Sequence, residues 1–154
     1  MRLADCDFID KGENLLITGS TGVGKSYIAS ALGYQACSKG YKVIYSNTSK
    51  LLSKLKMAKA DGSYIKETRK IERQQLLIID DFGLQPLDNN TRGLLLDIIE
   101  DRHGRKSIVI TSQLPINTWH DVIGESTIAD AILDRIVHNS HRIELQGESM
   151  RKNK

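Results

Sequence analysis

A three-layer α/β/α sandwich around a central, parallel, five-stranded sheet is the fold this sequence predicts. Short apolar runs alternate with longer amphipathic ones along the chain, and that βαβ alternation makes a parallel sheet covered by helices on both faces. One run, Leu76-Leu77-Ile78-Ile79, is apolar at every position, as a strand buried on both faces must be. The first apolar run ends in a glycine-rich turn that opens a helix.

Each element follows in order. Residues 14–18 form the first strand. Residues 27–38 carry Ile28, Ala31, Leu32 and Ala36 at helical spacing, and Gly40 stops that helix. Residues 42–46, rich in Val, Ile and Tyr, predict the second strand. Asn47 or Thr48 caps the next helix, 49–59. Asp61-Gly62-Ser63 breaks it, and a polar helix over 64–72 follows. Residues 76–79 are the third strand. Residues 89–103 are a helix that turns Leu94, Leu95, Ile98 and Ile99 inward. Residues 107–110, 128–137 and 141–145 complete the pattern as strand, helix and strand. With no repeat, low-complexity segment or linker, residues 1–154 are expected to form one domain.

Composition narrows the function classes. The chain has 154 residues, enough to bury a core without a disulfide staple. It holds 22 Lys and Arg against 19 Asp and Glu, a net charge of +3, which permits a polyanionic partner without requiring one. Cys6 and Cys37 fit no paired metal spacing and are expected to be small buried or half-buried thiols in a reduced, cytoplasmic setting. No apolar run approaches the roughly 20 residues of a membrane span, and the N-terminus has no apolar export segment. His103, His120, His138 and His141 show no metal spacing, so surface or structural roles are expected. Trp119 is expected to pack rather than to bind a base.

The chemistry concentrates in two segments. Gly19-Ser20-Thr21-Gly22-Val23-Gly24-Lys25-Ser26 fits G-x-x-x-x-G-K-[ST]. Its glycines let backbone N–H groups approach phosphate oxygens, and the helix that starts near Lys25 points its positive end at the same anion. Lys25 is placed to reach the β- and γ-phosphates of ATP, and Ser26 to offer its hydroxyl to Mg²⁺. The second segment is the strand that ends in Asp80-Asp81. Ligands gather at the carboxyl ends of parallel strands. Asp80 is therefore expected to hold Mg²⁺, directly or through water, and Asp81 to orient or deprotonate the attacking water. A purely structural role for Asp81 stays open.

Lys50, Lys54, Lys56 and Lys59 lie on one expected helix, with Lys66, Arg69, Lys70 and Arg73 on the next. Two readings compete here, a contact to DNA phosphates and a solvated helix face.

The acidic pair, followed by another apolar strand that ends in polar residues, resembles the AAA+ branch of P-loop ATPases. Segment 76–83 (LLIIDDFG), Asp134-Arg135-Ile136 and Gly147-Glu148-Ser149-Met150-Arg151 resemble the IstB-like and DnaC-like group. Ala31-Leu32-Gly33, Lys39-Gly40-Tyr41-Lys42-Val43, and the stretch from Arg102-His103-Gly104 to Thr111-Ser112-Gln113 favour IstB, the ATP-dependent helpers of insertion-sequence transposition. The resemblance implies that Lys25 and Ser26 are the Walker A pair, within a nucleotide-binding stretch that runs on to Tyr27. It implies that Asp80 and Asp81 are the Walker B pair, with Asp81 where most AAA+ proteins carry Glu. Gln113 resembles the sensor 1 position, Arg135 an arginine finger given to a neighbouring subunit, and Arg151 a sensor 2 arginine. The implied partners are duplex DNA bound largely without sequence preference, a transposase, and further copies of the chain. The helical N-terminal region of full-length IstB proteins is expected to lie outside this chain. Two other readings stand beside this one: a DnaC-like replicative helicase loader, and a small-molecule kinase. Against the kinase stand the Asp134-Arg135 segment and the lack of an evident lid or acceptor pocket.

Overall fold

A computed structural model describes residues 3–20 and 24–146. Its strands are β1 (Asn14–Gly19), β2 (Val43–Asn47), β3 (Leu76–Phe82), β4 (Ser107–Ser112) and β5 (Ser140–Leu145). All neighbours pair in parallel, in the order β2-β3-β4-β1-β5. The helices are α1 (Asp7–Asp10), α2 (Lys25–Ser38), α3 (Thr48–Asp61), α4 (Tyr64–Glu72), α5 (Asn89–Arg102), α6 (Trp119–Ile123) and α7 (Ser126–Val137).

Strand side chains alternate between faces, and both faces here are buried. Leu15, Ile17, Leu76, Ile78 and Val109 pack with α2 and the N-terminal residues Cys6, Phe8 and Ile9. Leu16, Leu77, Ile79, Ile108 and Ile110 pack with α3, α5, α6 and α7. That double burial is why segment 76–79 is apolar throughout. Burying a Leu or Ile side chain fully is worth about 1.5–3 kcal/mol, so the two layers anchor the strands from both sides. A Cβ on Gly33 would stand 3.0 Å from Ile78 Cδ1, so a glycine lets α2 settle close against β3.

Asn47 is the cap of α3: its side-chain oxygen accepts from the backbone N–H of Ser49 (2.9 Å) and Lys50 (3.3 Å). Asp88 and Thr91 form a reciprocal capping box on α5, satisfying N–H groups that a helix start would leave orphaned. On α5 the inward residues are Leu94, Leu95, Ile98 and Ile99, as the spacing predicts.

The structure departs from the sequence expectations in four places. On α2 the buried residues are Ala29, Leu32, Gly33 and Ala36, while Ala31 is exposed. Small side chains face the sheet because the helix axis lies close to it. Cys37 is exposed, not buried, whereas Cys6 is buried. β3 runs on through both acids to Phe82. Two short helices, α1 and α6, carry no periodic signal long enough to read. Trp119 opens α6, fully buried, with its ring centroid 4.9 Å from that of Phe82 and its indole N–H donated to the Leu114 carbonyl at 3.0 Å. Among the described residues, no helix is long and apolar enough to cross a membrane.

Candidate nucleotide site

β4 lies between β1 and β3, so the loop that follows β1 and the acids that end β3 meet on one carboxyl edge of the sheet. Gly24 precedes α2 with φ 97°, a left-handed conformation that glycine adopts without strain. That turn sets Lys25 and Ser26 at the N-terminal end of a 14-residue helix, where the helix dipole favours an anion.

Lys25 is only 6% exposed. Its ammonium donates to the Ser20 carbonyl at 3.1 Å. Burial lowers its pKa, while the nearby charges of Asp81 and Asp80 hold it up. Those two influences place a cation between the loop and the acidic pair. Incoming phosphate would replace a weak neutral acceptor, the Ser20 carbonyl, with a charged one.

Asp80 is buried at the end of β3. The Ser26 hydroxyl lies 3.1 Å from each of its carboxylate oxygens. The Tyr45 phenol, from the middle of β2, donates to Oδ2 at 2.5 Å. The Thr111 hydroxyl, from β4, donates to Oδ1, and Thr48 Oγ1 donates to the Asp80 backbone carbonyl at 2.9 Å. Side chains from β2, β4 and α2 therefore converge on the carboxylate that β3 carries, and α3 holds the backbone of the same residue. A hydroxyl and a carboxylate brought together in this way are hard oxygen donors, the kind Mg²⁺ prefers. Ser26 and Asp80 thus fit that ion.

Asp81 reaches the same region through a bulge. The β3–β4 register pairs Ile79 with Ile110 and Phe82 with Ser112, so Asp80 and Asp81 together oppose the single residue Thr111. In a regular strand, consecutive side chains point to opposite faces; a bulge re-aims one of them. Asp81 takes φ 61°, a conformation Asp tolerates better than most residues. Its N–H donates to Thr111 Oγ1 at 3.0 Å, and Asn47 Nδ2 stands 3.4 Å from its carboxylate. Thr111 thereby braces both acids at once.

Other candidates stand apart from this cluster. Tyr27 is 76% exposed on α2. Gln113 follows the last residue of β4 and is exposed at the carboxyl edge. Arg135 sits on α7, where its guanidinium donates to the Ala131 carbonyl at 2.9 Å and pairs with Glu100 of α5 at 3.4 Å. Thr21, Gly22, Val23 and Arg151, with segment 147–151, lie outside the described residues. Three contributors were not expected from the sequence as site residues: Tyr45, Thr111 and, beyond its capping role, Asn47. For Asn47 and Thr111 the one signal is position at or next to the end of a parallel strand; Tyr45, in the middle of β2, carries no such signal.

The exposed face of α3 and α4 bears Lys50, Lys66 and Arg69. Lys54 is tied to Glu67 at 3.3 Å, and Lys70 reaches the same carboxylate at 3.1 Å. A depression of about 540 Å³ lies between the two helices, lined by Lys50, Lys54, Met57 and Glu67, away from the phosphate loop.

A family model described as IstB-like ATP binding protein matches residues 1–154. The chain belongs to that family. It is 52% identical over 153 residues to a Sinorhizobium fredii protein named as an insertion sequence ATP-binding protein, y4pL, covering 99% of this chain and 62% of that protein. It is 35% identical to the corresponding protein of insertion sequence IS5376 from Geobacillus stearothermophilus, covering 97% of this chain and 59% of that one. The chain therefore spans about three fifths of the length of these curated relatives. Among solved structures, the DnaC helicase loader superposes with a TM-score of 0.76 at 23% identity, covering 94% of this chain and 87% of that one. DnaI superposes with a TM-score of 0.81 at 21% identity, covering 94% and 82%. These likenesses establish the fold, that of P-loop AAA+ proteins.

Proposed function

We propose that this IstB-like protein hydrolyses ATP with Mg²⁺, assembles with further copies of itself on duplex DNA, and assists a transposase in insertion-sequence transposition in the cytoplasm. The observation that carries the reading is the meeting of Lys25, Ser26 and Asp80 at the mouth of the phosphate loop, in a chain whose relatives are named for insertion sequences.

Each residue has a task in that reaction. Backbone N–H groups of the Gly19 to Tyr27 stretch cradle the phosphates, and Lys25 neutralises their charge. Ser26 and Asp80 hold Mg²⁺, which when bound neutralises charge on the β- and γ-phosphate oxygens. Asp81 accepts a hydrogen bond from the attacking water and orients it in line. Gln113 bonds the γ-phosphate or that water from the end of β4. Arg135 leaves Glu100 and stabilises the γ-phosphate charge of a neighbouring subunit's ATP, while Arg151 approaches the bound nucleotide from its own chain.

A helicase loader is the second reading, favoured by the superposition on DnaC and DnaI. ATP turnover measured with and without duplex DNA tests the proposal. Turnover that needs Mg²⁺ and rises with duplex DNA is expected. Turnover unaffected by DNA, together with phosphoryl transfer to a small acceptor, would establish a kinase instead. Pull-down of a transposase rather than a replicative helicase separates the two DNA-linked readings.

A further inference from the structure

Tyr45 has a place in the site that neither the phosphate-loop motif nor the acidic pair accounts for. It stands in the middle of β2, the edge strand beside β3. Tyr suits an edge strand by propensity alone, and its ring is 44% exposed. Its phenol, however, turns in to Asp80 Oδ2 at 2.5 Å. A phenol beside an ionised carboxylate is the donor of the pair, since the carboxylate only accepts.

An ionised carboxylate has room for about four hydrogen bonds. Asp80 takes them from three hydroxyls: Ser26 to both oxygens, Thr111 to Oδ1 and Tyr45 to Oδ2. These three donors are not equivalent. Ser26 belongs to the helix that follows the phosphate loop, and its oxygen is the one proposed above to turn to the metal. Thr111 and Tyr45 come from the strands on either side of β3 and remain when Ser26 turns away. Thr111 is fully buried and also accepts from the Asp81 N–H, so its loss would disturb the bulge as well. Tyr45 touches the acid through one atom.

We propose that Tyr45 is a positioning residue for the metal site: its phenol holds the Asp80 carboxylate turned toward Ser26, so that the oxygens Ser26 releases are already aimed at the incoming cation. This rests on the reading that Ser26 and Asp80 hold the metal. Hydrogen-bonding partners that orient a ligand typically contribute about 10- to 100-fold to metal affinity or activity.

Tyr45→Phe removes the hydroxyl and keeps the ring, its strand propensity and its packing. The test loads the chain with a non-hydrolysable ATP analogue and titrates Mn²⁺, followed by electron paramagnetic resonance. Nucleotide affinity in chelator, without metal, should stay within about twofold of the parent, since the phenol is committed to the Asp80 carboxylate. Mn²⁺ affinity should fall by about tenfold or more, with an unchanged melting temperature. A merely structural Tyr45 would shift nucleotide affinity and melting temperature along with the metal, or would shift nothing. Mn²⁺ binding in Tyr45→Phe equal to or tighter than in the parent overturns the inference and leaves the metal site standing. A parent that binds no Mn²⁺ with nucleotide overturns the metal site itself, and this inference with it.

Discussion

Lys25 shows how a single residue is poised by its surroundings. A buried ammonium is costly unless compensated, and here the compensation is partial: one carbonyl contact and two nearby acids. Phosphate completes it. Lys25→Ala should therefore lower ATP affinity by at least about tenfold, since a charge-assisted hydrogen bond is worth roughly 1.5–3 kcal/mol; calorimetry of mutant and parent measures it, and equal affinities would exclude the contact. Asp81 answers a different question. Asp81→Asn keeps the size, the left-handed backbone preference and a side-chain oxygen for Asn47, and loses only the charge. ATP should bind normally while turnover nearly stops. Parental turnover in that mutant would make Asp81 a structural partner of Asn47 and leave Asp80 as the one acid the reaction needs.

At the scale of elements, the bulge at the end of β3 and the pair α3–α4 carry the argument. The bulge sets Asp80 and Asp81 together opposite Thr111, whose hydroxyl contacts the Asp80 carboxylate and the Asp81 N–H. On α3 and α4, ion pairing divides the basic residues into two groups. Glu67 already occupies Lys54 and Lys70, and exposed pairs of this kind contribute at most about 1 kcal/mol. Lys50, Lys66 and Arg69 are exposed and stand outside the Glu67 pairing. Replacing those three with Gln should weaken duplex binding equally for all sequences and flatten its salt dependence by about 0.9 in log–log slope per lost contact. Adding Lys54→Gln should change little more. Fluorescence anisotropy with a labelled duplex at several salt concentrations reads both quantities. A slope that does not move would identify the face as solvated.

The whole molecule raises the question of a shared site. Arg135 is engaged within its own chain, with Glu100 and the Ala131 carbonyl, so acting on a neighbour requires it to exchange Glu100 for phosphate. The exchange is cheap, because a partly exposed ion pair is worth at most about 1 kcal/mol, whereas a finger supplied in trans is worth about 10³–10⁵ in rate. Arg135→Ala should leave nucleotide binding intact and abolish DNA-stimulated turnover. Mixing it on DNA with Lys25→Ala subunits should restore part of the activity, because each mutant supplies what the other lacks. Parental turnover in Arg135→Ala, with nothing gained on mixing, would confine Arg135 to steadying α7 against α5. Nucleotide should also stabilise the fold globally: at 100 times Kd, binding to the folded chain alone adds about 2.7 kcal/mol, read as a rise in melting temperature that Lys25→Ala should cut to about half or less at the same concentration.

The sequence by itself determined the layer order, the five strands and the candidate residues Lys25, Ser26 and Asp80, because those features are local. Double burial makes a strand apolar throughout, as in residues 76–79. A phosphate loop needs glycines and a lysine at fixed spacing, and a helix start needs a residue such as Asn47. Only the tertiary structure decided which face of α2 is buried, that Arg135 pairs with Glu100, and that Tyr45 and Thr111 converge on Asp80. Those outcomes depend on strands separated by about thirty residues becoming neighbours in the order β2-β3-β4. Asp81 illustrates the division most clearly. Its presence after an apolar run is legible, but strand periodicity alone would send it to the face opposite Asp80. One extra residue in β3 against Thr111 breaks that alternation, and that mismatch belongs to the pairing of two strands, where neither strand's own sequence records it.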